Sequence, residues 1–248
     1  MLKSLLKFFF SLSDKFLLLE IYTRNFQDGF LLNLLILNSI KKPKIVEFGA
    51  HGHNQGMIGL ASHLFLNGKY LLLDGFQNNL NEINLLKKKY DLKNIYTKKF
   101  FINPKINPKK LDNFIKNKWP QFKFADLLIL DIDGYESKII EKLDFFRPKI
   151  IFFEDNQNFT KKKKITRLCK EKNYIYLGKL DNNCIFSKKN FLKDKINVSI
   201  LGLSKIMKLF LKLNSKFCLG LLIKIYNKNY EINELINKPN PFNNKLKY

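Results

Sequence analysis

Asp131, Asp133, Glu154, Asp155 and Asn156 are the residues of this chain whose types and spacing most directly suggest chemistry. The two aspartates follow an apolar run, 125–130, interrupted only by Asp126. Such a run suits a central strand buried on both faces, and Gly134 lets the backbone leave it sharply. Residues 149–153 repeat the form, apolar until Glu154-Asp155-Asn156. Side by side in a parallel sheet, the two strands would present their oxygens together at the carboxyl edge, where open α/β sheets bind ligands. Three roles fit such a cluster. Asp131, Glu154 and Asn156 could hold a hard cation, Mg²⁺ or Mn²⁺, and lower the pKa of a substrate hydroxyl. Asp131 or Asp133 could act without metal as a general base. Or Asp131 and Glu154 could only bond loop N–H groups and shape the pocket.

A second group lies upstream. Residues 44–46 are the start of an apolar strand that runs into Glu47-Phe48-Gly49-Ala50-His51-Gly52, a strand-to-helix turn. Glycine there permits close backbone approach, and the following helix offers unpaired N–H groups. Asp74 ends the next strand, some twenty-odd residues on, where a carboxylate can accept from ribose hydroxyls. Together these predict a ligand of the adenosine type. His51 and His53 flank Gly52 but lack a third ligand nearby in sequence, and His63 reads as a surface or core residue of a helix.

These groups need a scaffold, and the pattern supplies one. Strands are predicted at 44–50, 69–75, 94–102, 125–133 and 149–156, alternating with helices. A helix near 161–172 then leads to two strands, 174–180 and 183–188, separated by Asp181-Asn182, a tight hairpin. The expected fold is α/β and Rossmann-like: a seven-stranded, mostly parallel sheet with a terminal antiparallel hairpin. Three regions follow: a helical segment 1–43, the sheet domain 44–190, and a helical extension with a loose tail, 191–248.

The 248 residues suffice for one domain with additions. A hydrophobic fraction of 46% excludes a mainly disordered chain. The net charge of +24 comes from 45 Lys and Arg against 21 acids. Lysine is spread over the whole chain and arginine is scarce, with no nucleic-acid recognition motif, so no specific nucleic-acid partner is expected. Cys169, Cys184 and Cys218 form no CxxC pair, which fits reduced thiols in a cytoplasmic protein. The first segment lacks a signal-peptide cleavage site, and no stretch reaches the apolar length of a spanning helix. Leu2, Leu5, Leu6 and Phe9 share a helical face, as do Ile196, Ile200, Leu203, Met207 and Phe210. With lysines beside them, these helices either pack on the core or a second subunit, or make weak contact with the inner membrane face.

The order of short motifs resembles the FkbM-type S-adenosylmethionine-dependent methyltransferases, in the branch written with VEFGA and IDIDG. The matching segments are Gln27-Asp28-Gly29, Val46-Glu47-Phe48-Gly49-Ala50, Leu73-Asp74-Gly75, Phe101-Ile102-Asn103-Pro104, Ile129-Leu130-Asp131-Ile132-Asp133-Gly134, Phe153-Glu154-Asp155-Asn156 and Asn183-Cys184-Ile185-Phe186. The terminal hairpin is likewise that of the class I methyltransferase sheet. The resemblance implies that Glu47, Gly49 and Ala50, with His51 and Gly75 beside them, line the cofactor, and that Asp74 holds its ribose. Asp131 and Asp133 would sit beside the transferred methyl. It also implies an O-methyltransferase of a sugar hydroxyl in a glycan or glycolipid precursor, in polysaccharide biosynthesis. Two other readings stand beside it: a nicotinamide-dependent oxidoreductase, disfavoured by the lack of G-x-G-x-x-G, and a catalytically silent methyltransferase-like scaffold at a membrane surface.

Overall fold

The computed structural model describes residues 27–50, 57–89, 91–103, 105–132, 134, 136–155, 170–180, 182–191 and 198–199. His51, His53, Asp133, Asn156 and the two amphipathic segments near the chain ends lie outside them.

In chain order the elements are α1 (Gln27–Leu37), β1 (Lys44–Phe48), α2 (Leu60–Leu66), β2 (Lys69–Asp74), α3 (Gln77–Lys89), β3 (Ile95–Lys99) and α4 (Lys110–Lys118). A 3-10 turn (Pro120–Phe122), β4 (Leu127–Leu130), α5 (Glu136–Glu141), β5 (Ile150–Glu154), β6 (Tyr174–Leu180), β7 (Asn183–Lys188) and the two-residue β8 (Val198–Ser199) follow. The sheet order is β3-β2-β1-β4-β5-β7-β6-β8. Strands β1 to β5 are parallel, and β7 enters antiparallel between β5 and β6. The expected seven-stranded, Rossmann-like sheet with its closing hairpin is therefore present. The short β8, parallel to β6 at Gly178–Lys179, was not foreseen.

Alternation along each strand sends side chains to two cores. Ile45, Tyr70, Leu72, Leu127, Ile129, Phe152 and Ile185 face one side, against Phe30, Leu31, Leu34 and Leu35 of α1 and Leu80 and Ile83 of α3. Val46, Phe48, Leu71, Leu73, Leu128, Leu130, Phe153 and Phe186 face the other, against Leu111 and Ile115 of α4 and Ile139 and Ile140 of α5. Burial on both faces explains the unbroken apolar runs, which carry no period-two polarity. At the amino edge the lone polar residue of the fourth strand region is accounted for. Asp126 accepts from Lys44 N at 2.8 Å and from Lys149 Nζ at 2.7 Å, tying β1, β4 and β5 together.

The strands stop earlier at their carboxyl ends than the pattern suggested. The strand expected through Asp133 ends at Leu130. The backbone leaves the sheet there because Glu136 turns back and accepts from Ile132 N at 3.2 Å and Gly134 N at 2.9 Å. The helix expected from Gln55 begins at Leu60. Among the described residues no helix is long and apolar enough to cross a membrane.

Candidate functional site

The carboxyl ends of β1, β2 and β4 meet at Gly49. Its N–H donates to Leu73 O at 3.0 Å, and Asp131 N donates to Phe48 O at 3.0 Å. Gly49 has φ +94, and a Cβ there would lie 1.6 Å from Asp131 O. Only glycine satisfies both the positive φ and that approach. The β1 turn is thus pressed against the β4 turn at the carboxyl edge of the sheet. Ala50 is fully buried beside it.

Glu47 turns toward the start of α2 and toward β2. Its carboxylate accepts from Ile58 N at 3.0 Å and Gly59 N at 2.8 Å, and the Tyr70 hydroxyl donates a third, short bond. All three partners fix the segment that closes the loop after Ala50 and leads into α2. Burial pushes the Glu47 carboxyl up to about 7, with the charge of Asp131 adding to the rise. Burial and the neighbouring Glu47 charge likewise raise the Tyr70 phenol well above its usual value. Glu47 therefore positions the glycine loop, and its oxygens are occupied by protein donors.

Asp74 is differently arranged. It is 2% exposed, and its Oδ1 accepts from Phe76 N at 2.6 Å and from Asn79 Nδ2 at 3.2 Å. Both bonds hold the turn into α3, an Asx turn that fixes the carboxylate. Its Oδ2 accepts from no described residue. Next to it, Gly75 lies against Phe101, where a Cβ would come within 3.0 Å of the ring. Phe76, two residues past the acid, is 69% exposed.

Asp131 and Glu154 are half-buried at neighbouring strand ends, and Glu154 lies close enough to Glu136 to raise its carboxyl further, after the larger effect of burial. Asp155 belongs to a different contact, an ion pair with Lys179 at 2.6 Å. Among the described residues no three His, Cys, Asp or Glu side chains gather to hold a metal ion. No observation here supports the expected metal set of Asp131, Glu154 and Asn156, of which Asn156 lies outside the described residues. His63 is a core residue, 4% exposed and packed beside the Tyr70 ring, and burial lowers it to about 4.

The carboxyl edge thus gathers the Gly49 turn, Asp74 at the end of β2 and Asp131 just past β4. The model of the FkbM methyltransferase domain matches residues 40–176, more than half of the chain. The chain belongs to the FkbM methyltransferase family. It is accordingly a methyltransferase, and the oxidoreductase reading falls. Solved structures resemble this family member at the level of fold. A precorrin-6y C5,15-methyltransferase from Geobacter metallireducens is 14% identical, with 70% of this chain and 92% of that chain covered and a TM-score of 0.42. A methyltransferase from Geobacter sulfurreducens is 14% identical over 67% and 80% of the two chains, with a TM-score of 0.43. Fibrillarin from Aeropyrum pernix, in complex with natively bound S-adenosyl-L-methionine, is 12% identical over 59% and 66%, with a TM-score of 0.39. Among curated proteins none matches significantly.

Three features of the site were missed from sequence. Tyr70 as the partner of Glu47 had a readable signal, a polar tip on an otherwise aliphatic strand. Glu136, which organises the β4 turn, sits two residues after Gly134 and could have been read as a carboxylate turned back on loop N–H groups. Phe76 had no signal beyond its place after Asp74-Gly75. A separate cavity of about 380 Å³ is lined by Arg147, Lys172, Tyr174 and Lys188. It lies at the amino edge of β5, opposite the gathered acids.

Proposed function

We propose that this FkbM-family enzyme moves the methyl group of S-adenosylmethionine to a sugar hydroxyl of a glycan or glycolipid precursor, at the inner membrane face. The observation that carries the cofactor part is Asp74, whose Oδ2 accepts from no described residue, beside the Gly49 turn, where φ +94 and the approach of Asp131 O admit only glycine. A glycine turn at a strand end suits close backbone approach to the cofactor's methionine part. Asp74 suits paired ribose hydroxyls, and exposed Phe76 offers a flat apolar face for the adenine.

S-adenosylmethionine supplies an electrophilic methyl, so that its sulfur–methyl bond breaks as the oxygen–methyl bond forms. The chain's own task is then to position the acceptor and remove its proton. Asp131 stands beside the Gly49 turn, directly after β4, and is the described carboxylate best placed to take that proton as general base. Asp133, three positions past the end of β4, is the second candidate. Positioning supplies most of the acceleration in such a displacement, which fits a site held by short backbone bonds. The motif resemblance supports the sugar acceptor. Calorimetric titration with S-adenosylmethionine and its demethylated product tests the proposal. Saturable binding of both, with no response to a nicotinamide dinucleotide, is expected. Absence of heat with either sulfur compound would overturn it.

A further inference from the structure

The loop between β3 and α4 carries apolar side chains that neither core holds. Phe101 is 62% exposed and Ile106 80%. Around them Lys98, Lys99, Lys105, Lys109 and Lys110 are exposed. From residue 92 to residue 111 the sequence contains no acid. The whole chain has 45 basic residues to 21 acidic ones, so this stretch exceeds the general lysine excess. The loop is also pinned in place. Phe100 N donates to Asp74 O at 2.7 Å, Ile106 N and Asn107 N donate to Asn103 O at 3.1 and 2.9 Å, and Lys110 Nζ donates to Phe101 O at 2.6 Å. Through Asp74 it is fixed to the carboxyl edge, at the mouth of the candidate site.

We propose that this lysine-ringed apolar tip docks the protein on an anionic membrane surface, with the methyl-transfer site facing the bilayer. Ile106 and Phe101 enter the headgroup layer, and the lysines pair with anionic headgroups. The charge pattern decides among occupants. A second copy would bring two lysine rings together, and like charges oppose such an interface. A polyanion would engage the lysines but would leave Ile106, the most exposed apolar residue, without a role. The surface deepens the reading of a glycolipid acceptor and rests on that reading for the acceptor alone, since docking itself requires only the loop.

The test is flotation of the full chain with phosphatidylglycerol vesicles, compared with phosphatidylcholine vesicles. Binding to the anionic vesicles that weakens with salt is expected. Lys105→Gln with Lys109→Gln should weaken it about 25-fold, about fivefold per lysine. Phe101→Ser with Ile106→Ser should weaken it about tenfold, while Leu85→Ser, which removes another exposed apolar side chain on α3, should leave it unchanged. Equal binding by the native chain and the Phe101→Ser/Ile106→Ser variant would overturn the proposal, as would equal affinity for uncharged vesicles. Loss with the lysine variant alone would assign the loop to a soluble polyanion and overturn it too. Calorimetry with S-adenosylmethionine on the Lys105→Gln/Lys109→Gln variant should show unchanged affinity. A chain that floats normally but binds no S-adenosylmethionine refutes the methyltransferase mechanism and leaves the docking surface standing.

Discussion

Glu47→Gln should remove a specific dependence of stability on pH. Glu47 is 1% exposed and its carboxyl is raised from 4.5 to about 7 by burial. A raised folded-state pKa means that the folded protein holds the proton more tightly than the unfolded chain. The resulting stability is fully present below about pH 4.5 and is lost as pH rises through about 7. The whole effect is about 3 kcal/mol. Between pH 5 and pH 8 about 2.5 kcal/mol of it disappears. Glutamine keeps one acceptor oxygen for the Ile58 and Gly59 N–H groups but cannot titrate. The difference in unfolding free energy between native and Glu47→Gln chains therefore isolates this group, because every other carboxylate cancels. Urea unfolding at pH 5, 6, 7 and 8 measures it, and the native midpoint should fall by about 1 M relative to the variant across that range. A difference that stays flat, or grows with pH, would refute the buried, protonated Glu47 on which the loop geometry depends.

Four further outcomes are expected. Gly49→Ala should destabilise the fold by more than about 4 kcal/mol in thermal or urea unfolding, because the new Cβ collides with Asp131 O at φ +94. Asp74→Ala should weaken S-adenosylmethionine binding by about 1–3 kcal/mol in calorimetry, and unchanged affinity would remove Asp74 from the site. Asp131→Asn should lower turnover about a hundredfold or more with cofactor affinity retained, and equal loss of both would make Asp131 structural. Asp112, 7% exposed, accepts from the N–H groups of Asp144, Phe145 and Phe146. Asp112→Ala should therefore reduce unfolding free energy by about 3 kcal/mol without changing cofactor affinity.

Much of the sheet was legible because its signals are local. Residues 127–130 and 150–153 are apolar throughout, which only a strand buried on both faces requires, and Asp181-Asn182 marks the hairpin that sets the last strand antiparallel. Gly49 and Asp74 were legible for the same reason, since a turn glycine and a strand-end acid stand at fixed positions in the sequence. The division of labour among acids was not legible. Glu47 and Asp74 both lie near a strand end and a glycine, yet Glu47 turns its oxygens to Ile58, Gly59 and Tyr70. Which way a strand-end carboxylate faces depends on partners eleven to twenty-three positions away, and no local pattern carries that. Glu136 shows the same limit. It begins α5, and its acceptance from the N–H groups of Ile132 and Gly134 follows from the turn before that helix. Within the acidic cluster, Asp155 pairs with Lys179 of β6, a strand whose neighbour in space follows from the hairpin insertion.

The central claim is that the methyl donor sits at the Gly49 turn, beside Asp74. A crystal structure of the protein soaked with S-adenosylhomocysteine tests it directly. The account predicts the ribose hydroxyls on Asp74 Oδ2, the adenine against Phe76 and the homocysteine part over the Gly49 turn. Density for the ligand at the amino-edge cavity near Arg147 and Lys188, or anywhere that leaves Asp74 Oδ2 in water, would contradict it.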